Sequence, residues 1–213
     1  MGDGGRRVPG SRHHHRLSGA WILWRFRLGA LPAPEAEPDE ETLTVASGAP
    51  IPRQQLERLY ESLGPRLLLY LQRRTGDPVL AADIVQEVFL RLLEAPIRAD
   101  SAAEVRSYLY RAAQSRLIDR LRRRQRERLF QWRPWSEPTV ETPDATDFER
   151  VFRSLKPRES LLLWLAYVEE MNHNEIAEIV GVQAGSVKVL LFRARHLLRA
   201  AITRKGLAPE GAV

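Results

Sequence analysis

Residues Asn174–Arg195 read NEIAEIVGVQAGSVKVLLFRAR. A short helical pattern stops at Gly181, and a second, basic one begins almost at once. Asn172 stands where a helix cap belongs, and Glu175 three residues on completes a capping box. Ile176, Ala177, Ile179 and Val180 form the inward face. Gly181 suits the left-handed turn that ends a helix. The second helix is expected from about Ala184, with Val187, Leu191, Ala194 and Leu198 in one narrow arc flanked by Leu190 and Leu197. Opposite them lie Lys188, Val189, Phe192, Arg193, Arg195, His196 and Arg199. Two readings fit: a hairpin that only closes a core, or a helix-turn-helix whose second helix enters the major groove of DNA. In the second, Ser186, Lys188, Val189 and Arg193 are the candidate readers.

The rest of the chain narrows the choice. Of 213 residues, 44% are hydrophobic and 28% charged, which suits a globular chain with modest cores. The formal net charge of +6 favours a polyanionic partner. With no cysteine, disulfides, thiolate metal sites and thiol catalysis are excluded. The longest strongly apolar run, Leu161 to Val168, falls well short of the ~20 residues that cross a bilayer. Near the N-terminus, AWILW follows several arginines but ends at Arg25 and Arg27, too short for a secretory signal.

Residues 1–50 are Gly- and Arg-rich, then Pro-rich and acidic, and are expected to be a disordered extension. His13, His14 and His15 have no further ligands nearby and read as part of a solvated tail. Helical periodicity starts at Ile51. Gly64 and Pro65 are expected to break the first helix; Asp77 and Pro78 read as N-cap and first residue of the next, which runs to about Glu94. A loop follows, then a long helix from about Ala102 to Arg128. The Pro-interrupted, acidic stretch 129–146 reads as a flexible linker. Helices resume over 147–204, before a tail at 205–213. No strand alternation is found. The expected fold is all-α: two small helical modules, 51–128 and 147–204, on a tether.

Two helix faces are not explained by a core. On Asp83–Glu94, residues Ile84, Val85, Val88, Phe89, Leu92 and Leu93 make the apolar face, and Asp83, Gln86, Glu87 and Glu94 surround Leu90 on the other. That second face is either a solvated acidic surface or a protein-docking patch with an apolar centre. Asp83 and Glu87 alone make a poor metal site. On the long helix, Leu109, Tyr110, Ala113, Leu117 and Leu121 line one side. The other carries Tyr108, Arg111, Ser115, Asp119, Arg122 and Arg123, with Arg116 and Arg120 at its edges. Arginines that neutralise phosphates beside a ring that stacks on a base suit single-stranded nucleic acid, at about 1–3 kcal/mol per stacked base. A charged solvent face is the alternative. The run Arg122–Arg123–Arg124 has no evident structural reason, because like charges repel.

Taken in order, AADIVQEVFLRLL, YLYRAAQSRLIDRLRRR and NEIAEIVGVQAGSVKVLLFRARHLL resemble a bacterial RNA polymerase sigma factor of the sigma-70 family, extracytoplasmic-function (ECF) group. The resemblance covers roughly Leu56 to Ile202. It implies that 51–128 is similar to sigma region 2 and 147–204 to region 4. Asp83, Gln86, Glu87 and Leu90 would dock on the clamp helices of the largest subunit of core RNA polymerase. The loop from Ala95 to Glu104 and the helix after it would engage the unwound −10 element of promoter DNA, through Tyr108, Arg111, Ser115, Arg116, Asp119, Arg122 and Arg123. Ser186, Lys188, Val189, Phe192, Arg193 and Arg195 would face the −35 duplex, and an anti-sigma factor is a further expected partner. Tyr108 stands where many members have Trp, Ser115 where many have Asn, and Gln183 replaces the usual Ser or Thr cap. Val189 and Phe192 replace polar residues and suit thymine methyls.

No phosphate-binding Gly loop, Ser/His/Asp set or metal cluster is seen, so an initiation subunit is expected, with no catalytic residues, no metal, no cofactor, no membrane insertion and a cytoplasmic location. The rival readings are an autonomous helix-turn-helix regulator and a helical adaptor that binds only proteins.

Overall fold

Seven α-helices make up the regular structure of the computed structural model over the residues it describes, which are 52–94, 101–130 and 147–207. The expected extension over 1–50, the loop over 95–100, the linker over 131–146 and the last six residues lie outside the described residues. The helices are α1 (Arg53–Thr75), α2 (Pro78–Glu94), α3 (Ala102–Phe130), α4 (Asp147–Ser154), α5 (Pro157–Tyr167), α6 (His173–Val180) and α7 (Ala184–Arg204).

The expected break at Gly64 and Pro65 does not occur: α1 is one helix with Pro65 inside it. A proline in a helix interior costs about 3 kcal/mol, because it removes one ladder hydrogen bond and crowds the preceding turn. Here Pro65 and Glu61, whose carbonyl loses its donor, lie on the exposed side, where water can replace the bond. Leu59, Leu63, Leu67, Tyr70 and Leu71 keep one buried stripe in register on both sides of the proline. Each such side chain contributes roughly 1.5–3 kcal/mol on burial, so packing outweighs the local defect.

The α1–α2 corner follows the sequence closely. Gly76, at φ 67, closes α1 by donating its N–H to the Gln72 carbonyl at 2.8 Å. A Cβ there would also run into the Arg153 guanidinium, which reaches over from the second module. Asp77 then caps α2, its Oδ1 accepting the Leu80 N–H at 2.9 Å, and its Oδ2 accepts from Arg124 of α3 at 2.8 Å.

Ile84, Val85, Val88, Phe89 and Leu92 of α2 pack with Val105, Leu109, Tyr110, Ala113 and Leu117 of α3 and with the α1 stripe, all buried. Leu93, expected in the core, is 41% exposed. At about 100° per residue it sits at the extreme margin of the apolar arc, beyond the reach of the helices that cover its centre.

In the second module, α5 begins with Pro157 at its first turn, and the Glu159 carboxylate accepts the Lys156 N–H at 3.0 Å. Ser160 and all five residues from Leu161 to Leu165 are buried, as expected of a helix with neighbours on several sides. The α6–α7 pair has the caps read from sequence: Asn172 Oδ1 accepts from the N–H groups of Asn174 and Glu175, the Glu175 carboxylate accepts from Asn172 at 2.8 Å, and Gly181 turns the chain at φ 69. Gln183 caps α7 without a side-chain bond.

All described helices belong to one compact unit, within Pro34–Val213. The modules meet at an aromatic cluster. Trp164 of α5, 1% exposed, lies 5.5 Å centroid to centroid from Tyr70 of α1 and 6.4 Å from Phe152 of α4. Its indole N–H points at both the Tyr110 hydroxyl and the Glu169 carboxylate, 3.2 Å from each. Burial pushes the Tyr70 hydroxyl up to about 12 and raises Tyr110 well above its ordinary range, with Glu169 adding to the second shift.

The Asp77 carboxyl is held below its usual range, first by the Leu80 N–H and then by Arg124. A depressed carboxyl stabilises the fold above the unfolded value, near 3.9, and that contribution is lost as pH falls through the folded value. The melting-temperature advantage of the wild type over Asp77→Asn is therefore expected to be constant from about pH 7 to 5 and to shrink below that. A gap that does not vary with pH in thermal melts contradicts the assignment.

Candidate nucleic-acid interface

Helix α7 buries Val187, Leu191, Ala194, Leu198 and Ala201 and turns the rest outward. Ser186, Lys188, Val189, Phe192 and Arg193 are exposed together, over the first half of the helix. Val189 is 50% and Phe192 53% exposed, large apolar groups among cations. The Phe192 ring lies against His196, 4.3 Å between centroids. His196 was not among the expected readers; its spacing four residues after an aromatic on the same face was the available signal. Arg195 is half-buried. Its guanidinium donates to the Tyr167 hydroxyl of α5 at 2.7 Å and so braces α7 against α5.

Helix α3 carries the second surface. Tyr108, Arg111, Ser115, Asp119 and Arg122 fall within about 80° of one another at 100° per residue. Arg111, Ser115, Asp119, Arg122 and Arg123 are exposed, and Tyr108 is half-buried. Arg116 and Arg120 at the margin both reach Glu87 of α2, at 3.1 and 3.5 Å. The arginine run has structural partners after all: Arg123 pairs with Glu127 at 2.7 Å and Arg124 with Asp77 at 2.8 Å. Arg111 lies 3.9 Å from Glu178 of α6.

The third surface is the outer side of α2. Asp83, Gln86 and Leu90 are exposed, Leu90 by 48%. Glu87 is half-buried under Arg116 and Arg120, so one residue expected on the docking face and one expected on the strand-binding face meet each other. Among the described residues no cluster of three or more His, Asp or Glu is placed to hold a metal, and no helix is long and apolar enough to cross a membrane.

All three surfaces lie within segments that match known families. The model for sigma-70 region 2 matches residues 59–127 and that for sigma-70 region 4 matches 146–198. The chain is 30% identical over 144 residues to the ECF RNA polymerase sigma factor SigF of Caulobacter vibrioides, covering 64% of this chain and 79% of that one. It is 29% identical over 171 residues to SigL of Mycobacterium tuberculosis, covering 76% and 97%. Over 165 residues it is 27% identical to SigM of Bacillus subtilis, covering 70% and 96%. In fold it is similar to the sigma factor RpoE of Bartonella quintana, solved in complex with the anti-sigma factor NepR. The TM-score is 0.55 at 16% identity, over 70% of this chain and 98% of that one. With its helices, its paired basic faces and both family matches in the same order along the sequence, the chain belongs to the sigma-70 family of RNA polymerase sigma factors, in the ECF group.

Proposed function

We propose that this sigma factor divides promoter recognition between α3 and α7, with α2 as its hold on core polymerase. Residues 51–128 act as region 2, 147–204 as region 4, and 129–146 as the tether. The observation that carries this reading is the outward arc of α3, where a ring and several cations share one face without a core to explain them. Tyr108 stacks on an unpaired base of the −10 element, and Arg111, Arg122 and Arg123 neutralise its backbone, while Ser115 and Asp119 supply hydrogen bonds. Holding the separated strand favours the open state without nucleotide hydrolysis by this chain, which contributes no catalytic group.

At the −35 element, Ser186, Lys188 and Arg193 contact backbone and base edges. Val189 and Phe192 suit thymine methyl groups, which are the apolar feature of the major groove. Two modest interfaces on one tether reinforce each other through effective concentration when both elements are correctly spaced. Leu90, rimmed by Asp83 and Gln86, is the apolar centre of the contact with the clamp helices of the largest polymerase subunit. RpoE of Bartonella quintana forms a complex with an anti-sigma factor; by likeness, this chain takes one too and works in the cytoplasm.

Tyr108→Ala is expected to slow open-complex formation roughly tenfold, in line with the loss of one stacked base, and to leave −35 duplex binding unchanged. Permanganate footprinting and a duplex gel shift separate the two, and equal losses in both remove Tyr108 from the strand contact. Lys188→Ala should lower the slope of log affinity against log salt by about 0.9 if it neutralises one phosphate; an unaltered slope places Lys188 off the backbone. Leu90→Asp is expected to weaken core-polymerase binding at least tenfold in a pull-down titration while the circular-dichroism melt stays unchanged. Normal holoenzyme assembly by that variant takes Leu90 out of the interface.

A further inference from the structure

The outer face of α7 carries a ring pair that the core does not need. Its buried side chains, Val187, Leu191, Ala194, Leu198 and Ala201, fall in one arc. At 100° per residue His196 stands about 180° from the centre of that arc, as far from the core as a residue of this helix can be. Val189, Phe192 and His196 lie within about 60° of one another on this outer side, and all three are exposed. The imidazole nevertheless has a definite neighbour. Its centroid is 4.3 Å from that of the Phe192 ring, with the two planes inclined at 57°.

The direction of the pair follows from helix geometry. Long and aromatic side chains lean toward the N-terminus of their helix. Phe192 therefore leans over the turn that holds Lys188 and Val189, the half of α7 that carries the candidate base readers. His196, four residues on, leans back over Phe192 and closes the space into which the ring would otherwise swing. An exposed ring without such a neighbour samples several rotamers, and ordering one of them on binding costs roughly two- to tenfold in affinity. A ring already held meets its target without that loss.

We propose that His196 is a positioning residue for base recognition: it holds the Phe192 ring against the reading half of α7, and so sets how strongly this chain prefers thymine in the −35 element. The proposal rests on the promoter reading above and adds to it the group that gives Phe192 its selectivity. The chemical feature recognised is the C5 methyl of thymine, the apolar group displayed in the major groove. His196 acts through the ring and needs no base contact of its own.

The test uses the full-length chain with core polymerase and a duplex that this holoenzyme selects from a randomised pool. Each thymine of the selected −35 element is replaced in turn by deoxyuridine, which removes only the methyl group. The wild type is expected to lose about fourfold in affinity at one such position, the worth of one buried methyl. Phe192→Ala should bring that ratio to about one, and His196→Ala to less than twofold, with the circular-dichroism melt of His196→Ala unchanged. His196→Phe keeps a ring and should keep the preference; His196→Lys keeps a cation without a ring and should lose it. A full fourfold ratio in His196→Ala or in His196→Lys overturns the proposal, as does a wild type indifferent to every thymine methyl. A second readout needs no DNA. In the free chain the Phe192 ring resonances, assigned by their loss in Phe192→Ala, are expected to shift in His196→Ala, and an unmoved spectrum also overturns the pairing. If the wild-type holoenzyme selects no sequence at all, the −35 reading falls and the proposal with it; if it selects one and only the His196 variants behave as wild type, the reading stands and the proposal alone falls.

Discussion

One indole N–H holds the architecture in place. Trp164 aims it at Tyr110 and Glu169 in a space lined by rings from both modules. Trp164 is almost wholly buried, and a buried donor left unmatched costs about 1–3 kcal/mol, so its orientation is tightly specified. That orientation fixes where α5 sits against α1 and α3. Because α7 is braced on α5 through Arg195 and Tyr167, it also fixes where the outward face of α7 points. Glu169 is drawn into the same network with Arg66 beside it. A charge buried at a boundary is costly unless paired, which confines the modules to an arrangement that keeps the pair together.

Helix α3 carries three kinds of surface. Its inner arc is apolar and buried. Its margins are ion-paired: Arg116 and Arg120 with α2, Arg124 with the α1–α2 corner, Arg106 with α6. On the outward arc Arg111 faces Glu178 of α6, while Ser115, Asp119 and Arg122 are exposed. Arginine suits all three, since its stem packs against apolar neighbours while the guanidinium donates in several directions. Part of the abundance of arginine here is therefore structural, as the ion pairs of Arg106, Arg116, Arg120 and Arg124 show.

Much of the fold was legible in the residues. Asp77–Pro78, Asn172 with Glu175, and Gly181 mark helix ends by bonds that span only two to four residues, and each is present as read. The helical periodicity of α2, α3 and α7 identified most of the buried apolar positions, because burial follows the 3.6-residue repeat, but not Leu80, Ala81, Val105 or Ala201. The misreadings share one cause. Pro65 is a strong local breaker, but the stripe from Leu59 to Leu71 is buried by other helices, and that gain is not visible within the segment. Leu93 at the arc margin is exposed for want of a neighbour, and the contacts of Arg195 with Tyr167 and of Glu87 with Arg116, which do not bear on their expected roles, likewise join positions far apart in the chain. The candidate site was legible as faces and not as individual free groups, for the same reason.

The sequence by itself determined the all-helical class, the helix ends, the order of the two family segments and the basic faces of α3 and α7. These are properties of residues within a turn or two of each other, and of a repeat that a linear chain displays directly. Only the tertiary structure decided that the two modules share a buried aromatic cluster, and that α6 lays its carboxylates on the arginines of α3. Pairs such as Arg106 with Glu175 and Tyr110 with Trp164 are separated by more than fifty residues. No periodicity couples such distant positions, so which arginine meets which acid is settled by packing alone.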